Sequence, residues 1–349
     1  MKIAVAVSGG VDSAVAAALL KEQGHNIIGV TMQHFNNAEY GFPEDKGISV
    51  AVKDARQVCD SLKIEHFVYD TSEQFKKIVE TDFIAGYSSG KTPNPCTVCN
   101  PQIKWGAFWN LAKQTGAEKI ATGHYVKLVQ QNNKYMLFKA KDDTRDQSYM
   151  LWQLSQKQLS ETIFPISEFS KDKIRELAKK LDIPVHAKGD SQDVCFIYGH
   201  YADFLKKHIP IKPGEIVLPT GEVIGRHKGL PLYTIGQRKG LDTPWTRPLY
   251  VLRIDVSTNR LIVTENPDEL AETEFKITDL NLIGEDVLSV SENLAVQIRY
   301  NSKPVRVKSL TKTSTGLTVV LEQPTRAITP GQSAVFYLED RLLGGGKII

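Results

Sequence analysis

The stretch KIAVAVSGGVDSAVAAALLKEQG, residues 2–24, constrains the fold more than any other part of the chain. KIAVAV is a short apolar run that reads as a buried strand. Two glycines break the pattern. A helix follows, with Val11, Val15, Ala18 and Leu19 on one face and Gly24 placed to end it. NIIGVTM, HFVYD and KIATGHY read as further strands, and helices are expected over residues 50–62, 73–87 and 103–115. Strands alternating with helices predict an α/β domain, a parallel sheet covered on both faces. Residues 171–182 read as an amphipathic helix with Ser170 as its N-cap.

The texture changes near residue 205. The segment KPGEIVLPTGEVIGRHKGLPLYTIGQRKG is rich in glycine and turns, and PLYVLRIDVSTNRLIVTEN reads as a hairpin with STN at its tip. From about residue 275, FKITDLNLI, LAVQIRY, PVRVKSL, LTVVLEQ and SAVFYLED recur as short strands, the pattern of a small β-barrel. GGGKII at the end reads as a turn and a last strand. The expected division is 1–205 for the α/β domain, 206–272 for a small β-rich domain and 273–349 for a barrel.

Composition narrows the function classes. The 349 residues are 41% hydrophobic and 24% charged, ordinary for a globular protein. No apolar run approaches the roughly 20 residues that cross a bilayer, so no membrane partner is expected. A net charge of +3 gives no global field for DNA, and any RNA surface must be a local patch. Cys59, Cys96, Cys99 and Cys195 are too few for a disulfide scaffold. They point to a cytoplasmic protein whose thiols serve metal or catalysis. Cys59, on the apolar stripe of its helix, reads as core.

Ser8-Gly9-Gly10-Val11-Asp12-Ser13 sits between the first strand and the first helix. Its glycines let backbone N–H groups approach a phosphate, the helix start adds partial positive charge, and two serines add hydroxyls. Asp12 has no evident packing role, and a carboxylate beside phosphates suggests a metal bridge. The string is neither a Walker A loop nor a GxGxxG loop. It resembles the pyrophosphate loop of the ATP pyrophosphatase superfamily, with its adenine nucleotide α-hydrolase-like fold. Those enzymes cleave ATP between the α and β phosphates and adenylate a carbonyl-type oxygen.

TPNPCTVCN at 92–100, ATGHY at 121–125, DDTRDQSYML at 142–151, SQDVCFI at 191–197, LYTIGQRKGL at 232–241 and TPGQSAVFY at 329–337 extend the resemblance over essentially the whole chain. Together they resemble the tRNA-specific 2-thiouridylase family, which thiolates a wobble uridine. The resemblance implies ATP with Mg²⁺ as cofactor, the anticodon stem-loop of tRNAs of the Lys, Glu and Gln type as substrate, and a persulfide donor or relay protein as partner. It implies Cys99 as nucleophile and Cys195 as persulfide carrier. Cys99, read as standing just before a helix, is expected to gain thiolate character from the helix dipole. Many relatives carry an acid where Cys96 stands, which leaves two alternatives: a replacement for that acid, or a third ligand, with Cys99 and Cys195, of a [4Fe–4S] cluster. Whether Cys99 and Cys195 are joined as a disulfide is left open.

The resemblance also implies a nucleotide site at Ala6, Val7, Ser8, Gly9, Gly10, Val11, Asp12, Ser13, Met32 and Gly123. For tRNA it implies Asn94, Pro95, Cys96, His124, Arg145, Asp146 and Gln147, with Arg299, Tyr300 and Gln332 in the barrel. Arg226, His227, Lys228, Arg238 and Lys239 read as a second basic surface, and Lys303, Arg306 and Lys308 as local positive charge.

Overall fold

The computed structural model describes residues 1–189, 194–284, 286–290 and 292–349. The strands β1 (Lys2–Ala6), β2 (Asn26–Gln33), β3 (His66–Asp70) and β4 (Lys119–Thr122) belong to one parallel sheet. A hairpin, β5 (Lys127–Gln131) and β6 (Lys134–Phe138), follows before β7 (Thr162–Ile163) completes the sheet in the order β3-β2-β1-β4-β7. Period-two alternation sends Ile3 and Val5 to one face, against the helices Val11–Glu22 and Lys171–Lys180. Ala4, Ile28 and Val30 face the other side, against Trp105, Phe108 and Trp109. The first helix ends as its sequence requires: Gly24 takes φ +81°, and its N–H and that of His25 bond to the carbonyls of Lys21 and Leu20.

The β5–β6 hairpin escaped the sequence reading, although its turn, Asn132-Asn133, carries the positive φ values of 49° and 60° that asparagine tolerates. KIATGHY is a strand only through Thr122.

The middle sheet has the order β10-β11-β8-β9, from β8 (Gly214–Val217), β9 (Val223–His227), β10 (Tyr250–Asp255) and β11 (Arg260–Thr264). The expected hairpin is β10–β11, its tip held by the Asp255 carboxylate accepting from the N–H groups of Ser257 and Thr258. The last unit comprises β12 (Ala271–Leu282), β13 (Leu294–Gln297), β14 (Val305–Lys312), β15 (Gly316–Arg326), β16 (Ser333–Leu338) and β17 (Arg341–Ile348). Pairing in the order 12-15-14-13-16-17 and back to β12 closes a six-stranded antiparallel barrel. Gly344–Gly346 lie within β17, not in the expected turn. A Cβ at Gly344 would meet the Asn281 carbonyl at 2.2 Å, and one at Gly345 the Trp152 ring at 2.9 Å. The glycines are there because other backbone and an indole pass too close for side chains. β17 also pairs with β6, which joins the barrel to the α/β domain.

Candidate active site

The sheet order reverses between β1 and β4, and their carboxyl ends open onto one crevice there. Ala6 ends β1, Val7 and Val11 are buried, and the loop between them is braced from within. The Ser8 N–H donates to Ser13 Oγ at 3.1 Å, the two hydroxyls lie 3.2 Å apart, and Ser13 Oγ donates to the Gly10 carbonyl. Gly9 takes φ +71°, and a Cβ there would sit 2.4 Å from the Ala51 carbonyl, so only glycine passes. Gly10 caps the helix Val11–Glu22 without any side-chain hydrogen bond, leaving first-turn N–H groups for an anion. That is the donor set a triphosphate needs. Met32, half-buried near the end of β2, lies on the same carboxyl edge.

Asp12, read from sequence as free of packing partners, has two. Tyr125 donates its hydroxyl to Oδ1 at 2.7 Å, and the Lys171 ammonium contacts both carboxylate oxygens at 2.8 Å. Lys171 is buried, so Asp12 serves as its counter-ion. Lys188 likewise donates to the Gly9 carbonyl and to Asp54. Neither lysine stands out in sequence, because each reaches the loop from more than 150 residues away.

Gly123 is pressed onto the phosphate loop: a Cβ would lie 2.6 Å from the Ser13 nitrogen. His124 follows. Lys104 donates to its Nε2 at 3.3 Å, so Nδ1 carries the proton and donates to Thr122 Oγ1 at 2.7 Å. Burial, helped by Lys104, holds this imidazole well below its ordinary range, and it is neutral.

The cysteine segment begins one helix, not the stretch before one. Asn94 is its N-cap, accepting from the Cys96 N–H at 3.1 Å, and Pro95 takes the first position. Cys96 and Cys99 both lie in the α-turn Pro95–Cys99. The chain continues as a π-helix over Asn100–Phe108 and an α-helix over Trp109–Lys113. Pro101 explains the widening, since it has no N–H to give and crowds the carbonyl four residues back. Gln158 takes up the carbonyls of Pro101 and Trp105 at 3.0 and 3.1 Å. The expected lowering of the Cys99 thiol is not found: inside the helix and buried, it is pushed up to about 12. Burial also raises Cys96 and Cys195.

Cys96 and Cys195 keep accessible surface while their sulfurs are crowded by protein, the setting of residues lining a cleft. Cys195 sits in the turn Val194–Ile197, and the neighbouring Cys99 and Cys96 thiols raise it further. Three residues of its motif, Ser191, Gln192 and Asp193, lie outside the described residues. The Lys104 ammonium pulls all three thiols the other way. Cys96, Cys99, Cys195 and Lys104 therefore share one electrostatic neighbourhood. All four cysteines are free thiols, and Cys59 is core. Among the described residues no three Cys, His, Asp or Glu side chains are arranged to hold a metal ion, so the three thiols do not fit a cluster as they stand.

The residues implied for tRNA divide into two groups. Tyr300 is brought from the barrel to within electrostatic reach of Cys96 and Arg145. Others are occupied. The Asp146 carboxylate accepts from the N–H groups of Ala140 and Ser148 and the Ser148 hydroxyl, and Gln147 Oε1 accepts from the Tyr125 N–H. Arg299 donates to the Ile235 carbonyl and Thr329, tying the barrel to the middle unit. Gln332 donates to the Thr92 carbonyl at 2.7 Å, while the Thr92 N–H donates to Pro330 and its hydroxyl to Thr234. Thr92 thus anchors the cysteine segment to both β units. In the second basic surface His227 is buried, because its Nε2 pairs with the Asn259 carbonyl inside the middle sheet, while Arg226, Lys228, Arg238 and Lys239 are exposed.

Among the described residues no helix is long and apolar enough to cross a membrane. Residues 1–199 match the family described as tRNA methyl transferase HUP domain, 202–265 its PRC-barrel domain, and 272–348 an aminomethyltransferase beta-barrel domain. A tRNA-specific 2-thiouridylase of Clostridium botulinum is 42% identical over 349 residues, covering 99% of this chain and 98% of that protein. Those of Clostridium beijerinckii and Clostridium perfringens are 40% and 41% identical, each over 99% of this chain and 98% of the relative. A 4-thiouridine synthetase solved with RNA and ATP overlaps 59% of this chain and 50% of its own at 20% identity, with a TM-score of 0.35. With identity of this order running through all three units, the chain belongs to the tRNA-specific 2-thiouridylase family.

Proposed function

We propose that the chain is an ATP-dependent tRNA sulfurtransferase that replaces O2 of a wobble uridine with sulfur, in tRNAs of the Lys, Glu and Gln type. One observation carries the reading. Gly123 packs on the phosphate loop, the adjacent His124 meets Lys104, and Lys104 faces the three thiols. An ATP-cleaving loop and a sulfur centre thereby border one crevice. Residues 1–205 serve as the catalytic unit, with the barrel at 273–349 holding the anticodon stem-loop beside it.

Oxide is a poor leaving group from C2 of uracil, and adenylation cures that. O2 attacks the ATP α-phosphorus, and pyrophosphate leaves toward Ser8–Ser13, where backbone N–H groups receive it. Asp12, already engaged by Lys171, is the loop carboxylate that would hold Mg²⁺, which would screen the phosphate charge there. The terminal sulfur of a Cys195 persulfide, loaded by a donor protein and deprotonated, adds to C2, and AMP departs with the former O2. The Cys99 thiolate then attacks Cys195 Sγ. The S–S bond breaks and its electron pair stays on the sulfur at C2, giving 2-thiouridine and a Cys99–Cys195 disulfide that an external dithiol reduces.

The same three thiols are the donors a [4Fe–4S] cluster would use. Among the described residues no three such side chains are arranged to hold a metal ion, so no step is assigned to a cluster, and thiolation by iron-free protein separates the two chemistries. The decisive test follows 2-thiouridine by mass spectrometry, with AMP release, for Cys99→Ser and Cys195→Ser. We expect either substitution to abolish thiolation with ATP binding intact; full thiolation by both would end the sulfur reading.

A further inference from the structure

We propose that Lys104 is the charge-stabilising residue of sulfur transfer, its ammonium balancing in turn the persulfide anion, the departing AMP and the Cys99 thiolate. The inference rests on the sulfurtransferase reading and assigns a residue which that reading leaves without a role.

Helix geometry is the first support. Cys99 and Lys104 are five residues apart, which in an α-helix places them about 140° apart around the axis. In the π-helix Asn100–Phe108, bonding runs from i to i+5, so residues five apart lie near one face. The widened turn swings Lys104 onto the thiol side, and Gln158 holds the turn open.

Charge is the second. Lys104 is half-buried, and among the described residues no carboxylate lies within ion-pair distance of it. Its hydrogen-bond partner is the neutral His124. A half-buried cation without a counter-ion is costly unless an anion arrives. The two neighbouring histidines are no rival cations: His34 is held at about 3 and His124 well below its ordinary range, each by burial with Lys104 adding to it. The thiols around Lys104 are disfavoured as anions by burial and favoured by Lys104. In the transfer sequence the persulfide, the departing AMP and the Cys99 thiolate are anions, and this ammonium would balance each in turn.

The third is placement. His124 bonds Thr122, at the end of β4, and follows Gly123, which packs on Ser13. Lys104 is thereby held between the phosphate loop and the sulfurs, where adenylated uridine must lie.

The test compares full-length Lys104→Met and Lys104→Arg with wild type. One reading is 2-thiouridine formation on an unmodified tRNA transcript, with ATP, Mg²⁺ and a persulfide-loaded donor. The other is the rate of Cys99 alkylation by iodoacetamide against pH, followed by peptide mass spectrometry. We expect Lys104→Met to bind ATP and tRNA normally, to lose at least 100-fold in thiolation, and to shift the alkylation profile at least one pH unit upward. Lys104→Arg should restore the profile and part of the activity. Thiolation and alkylation both within twofold of wild type in Lys104→Met would overturn the proposal, as would Lys104→Arg behaving no better than Lys104→Met. If Lys104→Met does not fold, Lys104→Gln is read by the same criteria. Thiolation retained in Cys99→Ser and Cys195→Ser would instead remove the sulfurtransferase reading itself, so the two failures are distinct.

Discussion

Burial and the Lys104 ammonium hold His34 at about 3 and His124 well below its usual value, which makes both liabilities in acid. In the unfolded chain each titrates near 6.5, so below that pH the unfolded state takes up protons that the folded state refuses. Stability is therefore full above about pH 6.5 and falls as the pH drops. Each histidine contributes up to about 1.4 kcal/mol per pH unit, or about 2 kcal/mol for the pair between pH 6 and pH 5. Urea denaturation at those two values measures it, and a flat profile would contradict neutral burial of both rings. Neither ring was legible as neutral from sequence. A histidine's charge depends on what surrounds it: burial is the main cause at His124, and Lys104, which adds to it, is 20 residues away.

At the scale of elements, Pro101 decides where the cysteine helix points its side chains. The sequence places a helix over 103–115, whereas the helix runs from Pro95 and widens around Pro101. Pro101→Ala supplies the missing N–H and lets the turn close to α pitch. We expect unfolding stability to hold or rise by about 1 kcal/mol, while thiolation falls at least tenfold because Lys104 rotates away from Cys99. Equal activity with equal stability would show that the π turn has no part in the chemistry. The opening loop was legible element by element: strand, glycines and helix are encoded within 23 contiguous residues. The cysteine helix was not, because its widening depends on Gln158 from another element.

For the whole molecule, the barrel is continuous with the α/β unit. β17 pairs with β6, Trp152 and Tyr149 donate to Ser333, and Ser148 contacts the Tyr337 hydroxyl at 3.0 Å. Trp152, Tyr149, Leu137, Tyr337 and Leu342 are fully buried in one core that draws on both units. Large side chains of this kind each contribute about 2 kcal/mol through burial. Residues 1–272 expressed alone should therefore be insoluble or bind a hydrophobic dye, and in the full chain hydrogen exchange of β4 and β16 should collapse at one common denaturant concentration. A soluble, ATP-binding 1–272 fragment would refute this coupling.

What the amino-acid order determined by itself is local. The alternation of strand and helix, the phosphate loop and the barrel strands each lie in a short contiguous pattern of polarity, glycine and turn residues, and each could be read there. Only the tertiary structure decided that Lys171, 159 residues from Asp12, occupies its carboxylate. It alone brought Tyr300 within electrostatic reach of Cys96, anchored the cysteine segment at Thr92, and left Lys104 a cation without a carboxylate partner among the described residues. The physical reason is range. Backbone preference acts over one or two turns of chain, whereas charge, desolvation and close packing depend on which distant atoms arrive, and those are known only once the three units have closed on one another.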